Sequence, residues 1–270
     1  MAAATGAPGA TAENLVDLER NRTMSDALRA ETVTITGHNG DEIEAYLARP
    51  LDAAPFGSVV VIHHMPGYDE ATKEMVRKFA ANGYAALCPN LYARVAPGAS
   101  PDDAAAAARA QGGVADDQVV GDVDGAATYL RALEGANGKI GVIGHCSGGR
   151  QTFLAAVSLQ IDAAVDCYGA AVVYGAPKDF PVNMPALMDQ APNLSCPVLG
   201  LFGAEDKFPT PEEVTVLDEE LTKLGKEHEF HSYEGAGHAF FSVDRPSYRV
   251  EAAVDGWQKI FAFYGKHLAG

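Results

Sequence analysis

A cysteine, an aspartate and a histidine stand in this 270-residue sequence where they could act as nucleophile, orienting acid and base. The run Lys139 to Arg150 reads KIGVIGHCSGGR. Its first half is a short apolar stretch of strand character, Gly144-His145-Cys146-Ser147-Gly148 turns sharply, and a helix is expected from Gly149 to Leu159. Strand, tight turn and helix around G-x-C-x-G form the context of a nucleophile elbow, with Cys where the usual pattern has Ser. The flanking residues must be small because a nucleophile on a strained backbone is pressed between strand and helix. In the shifted register Ser147 would be the nucleophile and His145 would stand where the pattern wants Gly. The bland alternative is a buried structural thiol at a strand end, since free cysteines are often buried.

A thiol nucleophile needs a base, and the base needs a carboxylate to orient it. After the apolar run Val198–Phe202 comes Gly203-Ala204-Glu205-Asp206, and after Glu229–Tyr233 comes Gly235-Ala236-Gly237-His238. Both groups fall at the carboxyl ends of expected strands, where open α/β sheets bind ligands. Taken singly, Asp206 could cap the next helix and His238 could be an ordinary loop histidine, and Glu205 competes as the acid. Together, Cys146, Asp206 and His238 follow the chain order nucleophile, acid, histidine of α/β-hydrolases. The same pattern assigns an oxyanion hole to the backbone N–H groups of Ser147 and Met65.

The elements that must hold these groups alternate along the chain. Thr32–Thr36 and Glu42–Ala48 read as a hairpin around His38-Asn39-Gly40-Asp41. Ser58–His63 and Tyr84–Pro89 read as buried strands, separated by a helix over Asp69–Asn82 with Met75, Val76 and Phe79 at helical spacing. Helices are expected over Pro101–Ala110, Asp116–Leu133, Pro211–Leu224 and Ser247–Leu268, and a further strand over Ala163–Tyr168. Alternating strands and helices predict an α/β fold, a mostly parallel sheet of about eight strands covered on both faces. Residues 31–270 read as a single α/β-hydrolase domain. The stretch Ala170–Ser195, with Pro177, Pro181, Pro185 and Pro192, is long for a connection and reads as a lid-like insertion. Residues 1–30 read as an N-terminal extension, low in complexity to residue 12, with a polar helix over Thr11–Ala30.

Composition limits the partners. The net charge of −16 argues against nucleic acid and anionic membrane surfaces, both of which need basic patches. No stretch approaches the ~18 apolar residues of a membrane helix. The N-terminus lacks the basic and apolar regions of a secretory signal. Cys88, Cys146, Cys167 and Cys196 lie far apart without metal-ligand spacing, so reduced thiols in a cytoplasmic protein are expected. No cofactor and no metal is called for, and oligomeric state is not legible.

The sequence resembles the dienelactone hydrolase family across most of Thr32–Leu268. The carrying residues are Gly144-x-Cys146-x-Gly148-Gly149, the run Cys88-Pro89-Asn90-Leu91-Tyr92-Ala93-Arg94, Tyr168-Gly169, Asp206, and Glu234-x-Ala236-Gly237-His238. The resemblance implies an α/β-hydrolase fold and hydrolysis of lactones and related esters through a Cys146–Asp206–His238 triad. It implies a substrate-carboxylate contact for Arg94 and a pocket-lining role for Tyr92. Two departures stand out: His64 where better-known members carry a Glu that holds and activates the thiol, and Ser242 where they carry a second carboxylate-binding Arg.

Adjacent side chains of an extended segment point oppositely, so one of His63 and His64 is expected to face the pocket, with His64 taken as a substrate-site residue. A paired-His metal site lacks a third ligand. Arg94 could instead pair with an acid of the chain, Arg150 reads as structural, and Phe240-Phe241 as pocket wall or core. The functional expectation is hydrolysis of a small carboxylic ester or lactone through a thioester on Cys146. The alternatives are a thioesterase or general carboxylesterase with the same triad, or a ligand-binding protein without turnover.

Overall fold

The computed structural model describes residues 28–51 and 55–269. The strands are β1 (Leu28–Thr36), β2 (Glu42–Pro50), β3 (Phe56–Ile62), β4 (Ala85–Pro89), β5 (Ala136–His145), β6 (Ala163–Cys167), β7 (Val198–Gly203) and β8 (His228–Tyr233). They form one eight-stranded sheet in the order β1-β2-β4-β3-β5-β6-β7-β8. β1 pairs antiparallel with β2, and β2 antiparallel with β4. All remaining pairs are parallel. The hairpin, the parallel core and the strand count match the sequence reading.

Among the described residues six α-helices accompany the sheet: α1 (Glu70–Ala81), α2 (Pro101–Ala110), α3 (Asp116–Arg131), α4 (Ser147–Ser158), α5 (Pro211–Lys223) and α6 (Val250–His267). The strands are read from both sides because alternate residues face opposite layers. Val60 and Ile62 of β3 join a core with α2 to α5, whereas Val59 and Val61 join one with α1 and α6. β3 is buried at every position, which explains its uninterrupted apolar sequence. α1 starts at Asp69, whose carboxylate accepts from the Thr72 N–H. α5 starts with a capping box of Thr210 and Glu213.

Several boundaries depart from the sequence reading. α4 begins at Ser147 rather than Gly149, because the elbow itself is the helix N-terminus. β5 begins at Ala136 rather than Lys139, with Gly138 at φ +86°. The expected helix over Thr11–Ala30 fails at its end, where Leu28–Ala30 pair with Ala48–Pro50 in the sheet; its remainder and the low-complexity start lie outside the described residues. The stretch Ala170–Ser195 carries a 3-10 turn at Met188–Asn193.

The chain runs from β3 outward to β4, then returns across β3 to β5 on its other side. The carboxyl ends of β3 and β5 therefore flank a topological switch point, the place where such sheets open a crevice. Met65 follows β3 there, and Cys146 follows β5.

Candidate active site

Cys146 sits between β5 and α4 at φ +57° and ψ −123°, a conformation that L-residues avoid. Its N–H donates to the Cys167 carbonyl at 3.0 Å, which ties the strained residue to the adjacent strand. The glycines around it are obligatory for space. A Cβ on Gly144 would lie 2.1 Å from the Gly148 carbonyl oxygen, and one on Gly148 would lie 2.5 Å from that of Ile62. One on Gly149 would meet the Asp166 carboxylate at 2.3 Å.

Asp206 and His238 converge on the same end of the sheet. The His238 Nδ1–H donates to Asp206 Oδ2 at 2.8 Å, and Asp206 is buried. The other Asp206 oxygen accepts from the Phe208 N–H at 3.0 Å, so the carboxylate is fixed at both oxygens. Glu205 makes no such contact with the imidazole; its N–H donates to the Ala236 carbonyl. The Cys146 side chain opens onto the same cavity as His238. Burial disfavours a charged imidazole, but the Asp206 carboxylate and the Cys146 sulfur outweigh it and raise His238 to about 10. The ring of Tyr168 packs edge-on against His238 at 5.1 Å and limits its rotation.

These groups share a cavity of about 280 Å³ with Met65, Ser147, Ala170, Phe180, Met184, Lys207 and Phe208. Phe180 and Met184 come from the 170–195 stretch, so that stretch builds part of the wall. Arg150 anchors the stretch: its guanidinium bonds both oxygens of Asp116 at 2.8 and 2.9 Å and donates to the Pro185 carbonyl at 2.6 Å. That is the structural role read from the sequence.

Ser147 opens α4, where the first N–H groups of a helix have no intrahelical partner. Met65 stands across the cavity, and among the described residues its N–H donates to no backbone acceptor. Two side chains brace its loop. The buried His63 ring accepts from the Leu91 N–H through Nε2 at 3.2 Å, so Nδ1 carries the hydrogen and donates to the His64 carbonyl at 2.9 Å. That carbonyl shares a peptide plane with the Met65 N–H, so His63 fixes the direction of the donor. Burial lowers His63 to about 4, consistent with a neutral ring. The Tyr92 hydroxyl donates to the Met65 carbonyl at 2.9 Å, and its ring meets His63 edge-on at 4.7 Å. Tyr92 thus supports the wall from behind.

The structure does not bring His64 and Arg94 to the lining of the Cys146 cavity. His64 turns away from the Cys146 cavity and pairs its Nε2 with Asp69 Oδ2 at 2.7 Å, lining a separate cavity beside α1 and α6. Its alternation with His63 is as expected, but the helix-capping carboxylate of Asp69 claims the ring. Arg94 bonds both oxygens of the buried Asp122 at 2.9 and 3.0 Å and Asp41 at 2.7 Å. Its guanidinium therefore joins α3 to the β1–β2 turn rather than lining the Cys146 cavity. Arg94→Met is expected to cost about 3–5 kcal/mol by leaving Asp122 buried without its cation. Denaturant unfolding checks the cost. An equal change in kcat/KM on a carboxylate-bearing ester and on its neutral analogue marks the loss as structural.

Behind the elbow, Asp166 is 1% exposed, with one oxygen accepting from the Gly169 N–H at 2.7 Å and the other unpartnered among the described residues. Burial raises it from 3.8 to about 7. The folded chain then holds a proton that the unfolded chain releases at lower pH. This contribution to stability is complete below pH 3.8 and is lost as pH rises to about 7. Asp166→Asn is expected to remove that slope, amounting to a few kcal/mol, which unfolding curves at pH 5 and pH 8 would reveal.

An eight-stranded sheet of this order, with an elbow after β5, an acid after β7 and a histidine after β8, is the α/β-hydrolase fold. The model of the dienelactone hydrolase family matches residues 43–268. A Methylorubrum extorquens protein named "Putative carboxymethylenebutenolidase" is 35% identical over 250 residues, covering 90% of this chain and 84% of that one. Carboxymethylenebutenolidase of Pseudomonas putida is 30% identical over 230 residues, covering 83% and 91%. A Klebsiella pneumoniae crystal structure described as "Putative Dienelactone Hydrolase" superposes with a TM-score of 0.78 at 31% identity, over 90% of this chain and 100% of that one. The chain belongs to the dienelactone hydrolase family and is a hydrolase of ester bonds.

Proposed function

We propose that the chain hydrolyses a small carboxylic ester or lactone through a thioester on Cys146, with His238 as base and acid and Asp206 as its orienting carboxylate. The observation that carries this reading is the 2.8 Å His238–Asp206 contact opening onto the same cavity as the elbow cysteine. His238, with its raised value, holds the proton of the Cys146 thiol on Nε2, and the sulfur attacks the ester carbonyl carbon. The N–H groups of Ser147 and Met65 receive the developing oxyanion, each such donor typically contributing ~3 kcal/mol in the transition state. The intermediate collapses by breaking the carbon–oxygen bond, and the imidazolium protonates the departing alkoxide. A water then gives its proton to His238 and attacks the thioester. The carbon–sulfur bond breaks, the proton returns to the sulfur, and the carboxylic acid leaves.

The wall formed by Phe180, Met184 and Phe208 favours an apolar acyl or alcohol group, and Lys207 is the cation available there to an anionic one. A thioesterase or general carboxylesterase would use the same groups. The binding-protein reading finds less support, since the base is already paired with its acid. An activated aryl ester tests the proposal: the wild-type chain should release one equivalent of alcohol per site in a burst before steady turnover. Release no faster than buffer would reject it. We further propose that the 170–195 stretch acts as a lid over this cavity, and that the chain works in the cytoplasm.

A further inference from the structure

A second cavity, larger than the one holding Cys146, opens on another part of the sheet. It encloses about 600 Å³ between α1, α6 and the ends of β3 and β5, within the ~300–1,000 Å³ typical of small-molecule sites. Trp257, Phe241 and Met75 give it apolar walls. His145 lines it from the strand end just before the nucleophile. That imidazole is 5% exposed, yet its Nε2 has no hydrogen-bond partner among the described residues. A buried ring nitrogen without a partner is costly unless something supplies one.

Beside it stands a cation. The Lys78 ammonium lies 4.2 Å from the centre of the Trp257 ring and forms no ion pair among the described residues. The other groups on the wall are already matched or reach solvent: Arg77 pairs with Glu74, His64 with Asp69, and Asp244 is exposed. The site therefore joins an apolar slot to two donors at one end, a lysine ammonium and an imidazole N–H. A carboxylate attached to a hydrocarbon satisfies both halves, because the anion takes the donors while its chain fills the slot.

We propose that this cavity binds an amphipathic carboxylic acid, held by Lys78 and His145, at a site separate from the Cys146 cavity. Trp257 is the sole tryptophan of the chain and lines the cavity, so it reports occupancy directly. Titration of the full chain with decanoate should change Trp257 fluorescence saturably. Calorimetry on Lys78→Met should show the decanoate Kd raised about tenfold or more, with that of neutral decanol changed less than about twofold. A far-UV spectrum and an unfolding curve confirm that this exposed helix variant folds. Capping Cys146 with iodoacetamide fills the nucleophile's cavity and should leave decanoate binding intact. The proposal is overturned by the absence of a saturable change, by equal weakening of acid and alcohol in the variant, or by loss of binding on capping.

Discussion

Cys146→Ala is expected to lower kcat for ester hydrolysis by a factor on the order of 10⁴–10⁶, leaving what the oxyanion donors and binding alone supply. The substitution keeps a Cβ at the φ +57° elbow, so backbone strain and sheet pairing stay as they are. Loss of activity with an unchanged unfolding curve then separates chemistry from folding. Cys146→Ser keeps an oxygen nucleophile at the same place. It should fall well below wild type, because a hydroxyl forms its anion much less readily than a thiol. Steady-state rates on an aryl ester check both, and full activity in the serine variant would contradict a thiolate mechanism.

The second large effect concerns the base. Asp206→Asn is expected to lower kcat by roughly 10³–10⁴, because a carboxamide there can donate to Nδ1 and favour the wrong imidazole tautomer. The ring would then carry its hydrogen on Nε2 and could not accept the thiol proton. The same change has a titration signature. His238 stands at about 10 because its anionic neighbours outweigh burial; with the Asp206 carboxylate gone, burial counts for more and the value should fall. The stability linked to it follows the same sign. With the folded value raised above 6.5, the contribution is complete below pH 6.5 and is lost as pH rises through about 10, so the variant should show a shallower alkaline loss. Imidazole proton shifts followed by NMR measure the change, and an unaltered titration would show that Asp206 does not tune the base.

Cys146, Asp206 and His238 were legible because each follows an apolar strand-like run, and a sheet brings strand ends together whatever the loops do. Positions defined by strand ends survive errors of two or three residues in the boundaries, as at β5 and α4. Arg94 and His64 were not legible in the same way. Their partners are set by tertiary packing: Asp122 lies 28 residues from Arg94, and Asp69 is readable as a helix cap but not as a ligand for a histidine five residues earlier. The roles of His63 and Tyr92 were hidden for another reason. Each acts through a backbone carbonyl, and no side-chain pattern records that. The cavity wall from Phe180 and Met184 needed the path of the 170–195 stretch, which depends on the buried Arg150 and its half-buried partner Asp116.

The pairing of His238 with Asp206 on the cavity that holds Cys146 makes acylation of Cys146 the central claim. Rapid acid quenching of the chain during turnover of an aryl acetate, followed by intact mass and peptide mapping, tests it most directly. The account predicts one acetyl group per chain, carried by the peptide containing Cys146, labile to hydroxylamine as a thioester and absent from Cys146→Ala. An acetyl group on Ser147, or steady hydrolysis with no covalent species on the elbow peptide, would contradict it.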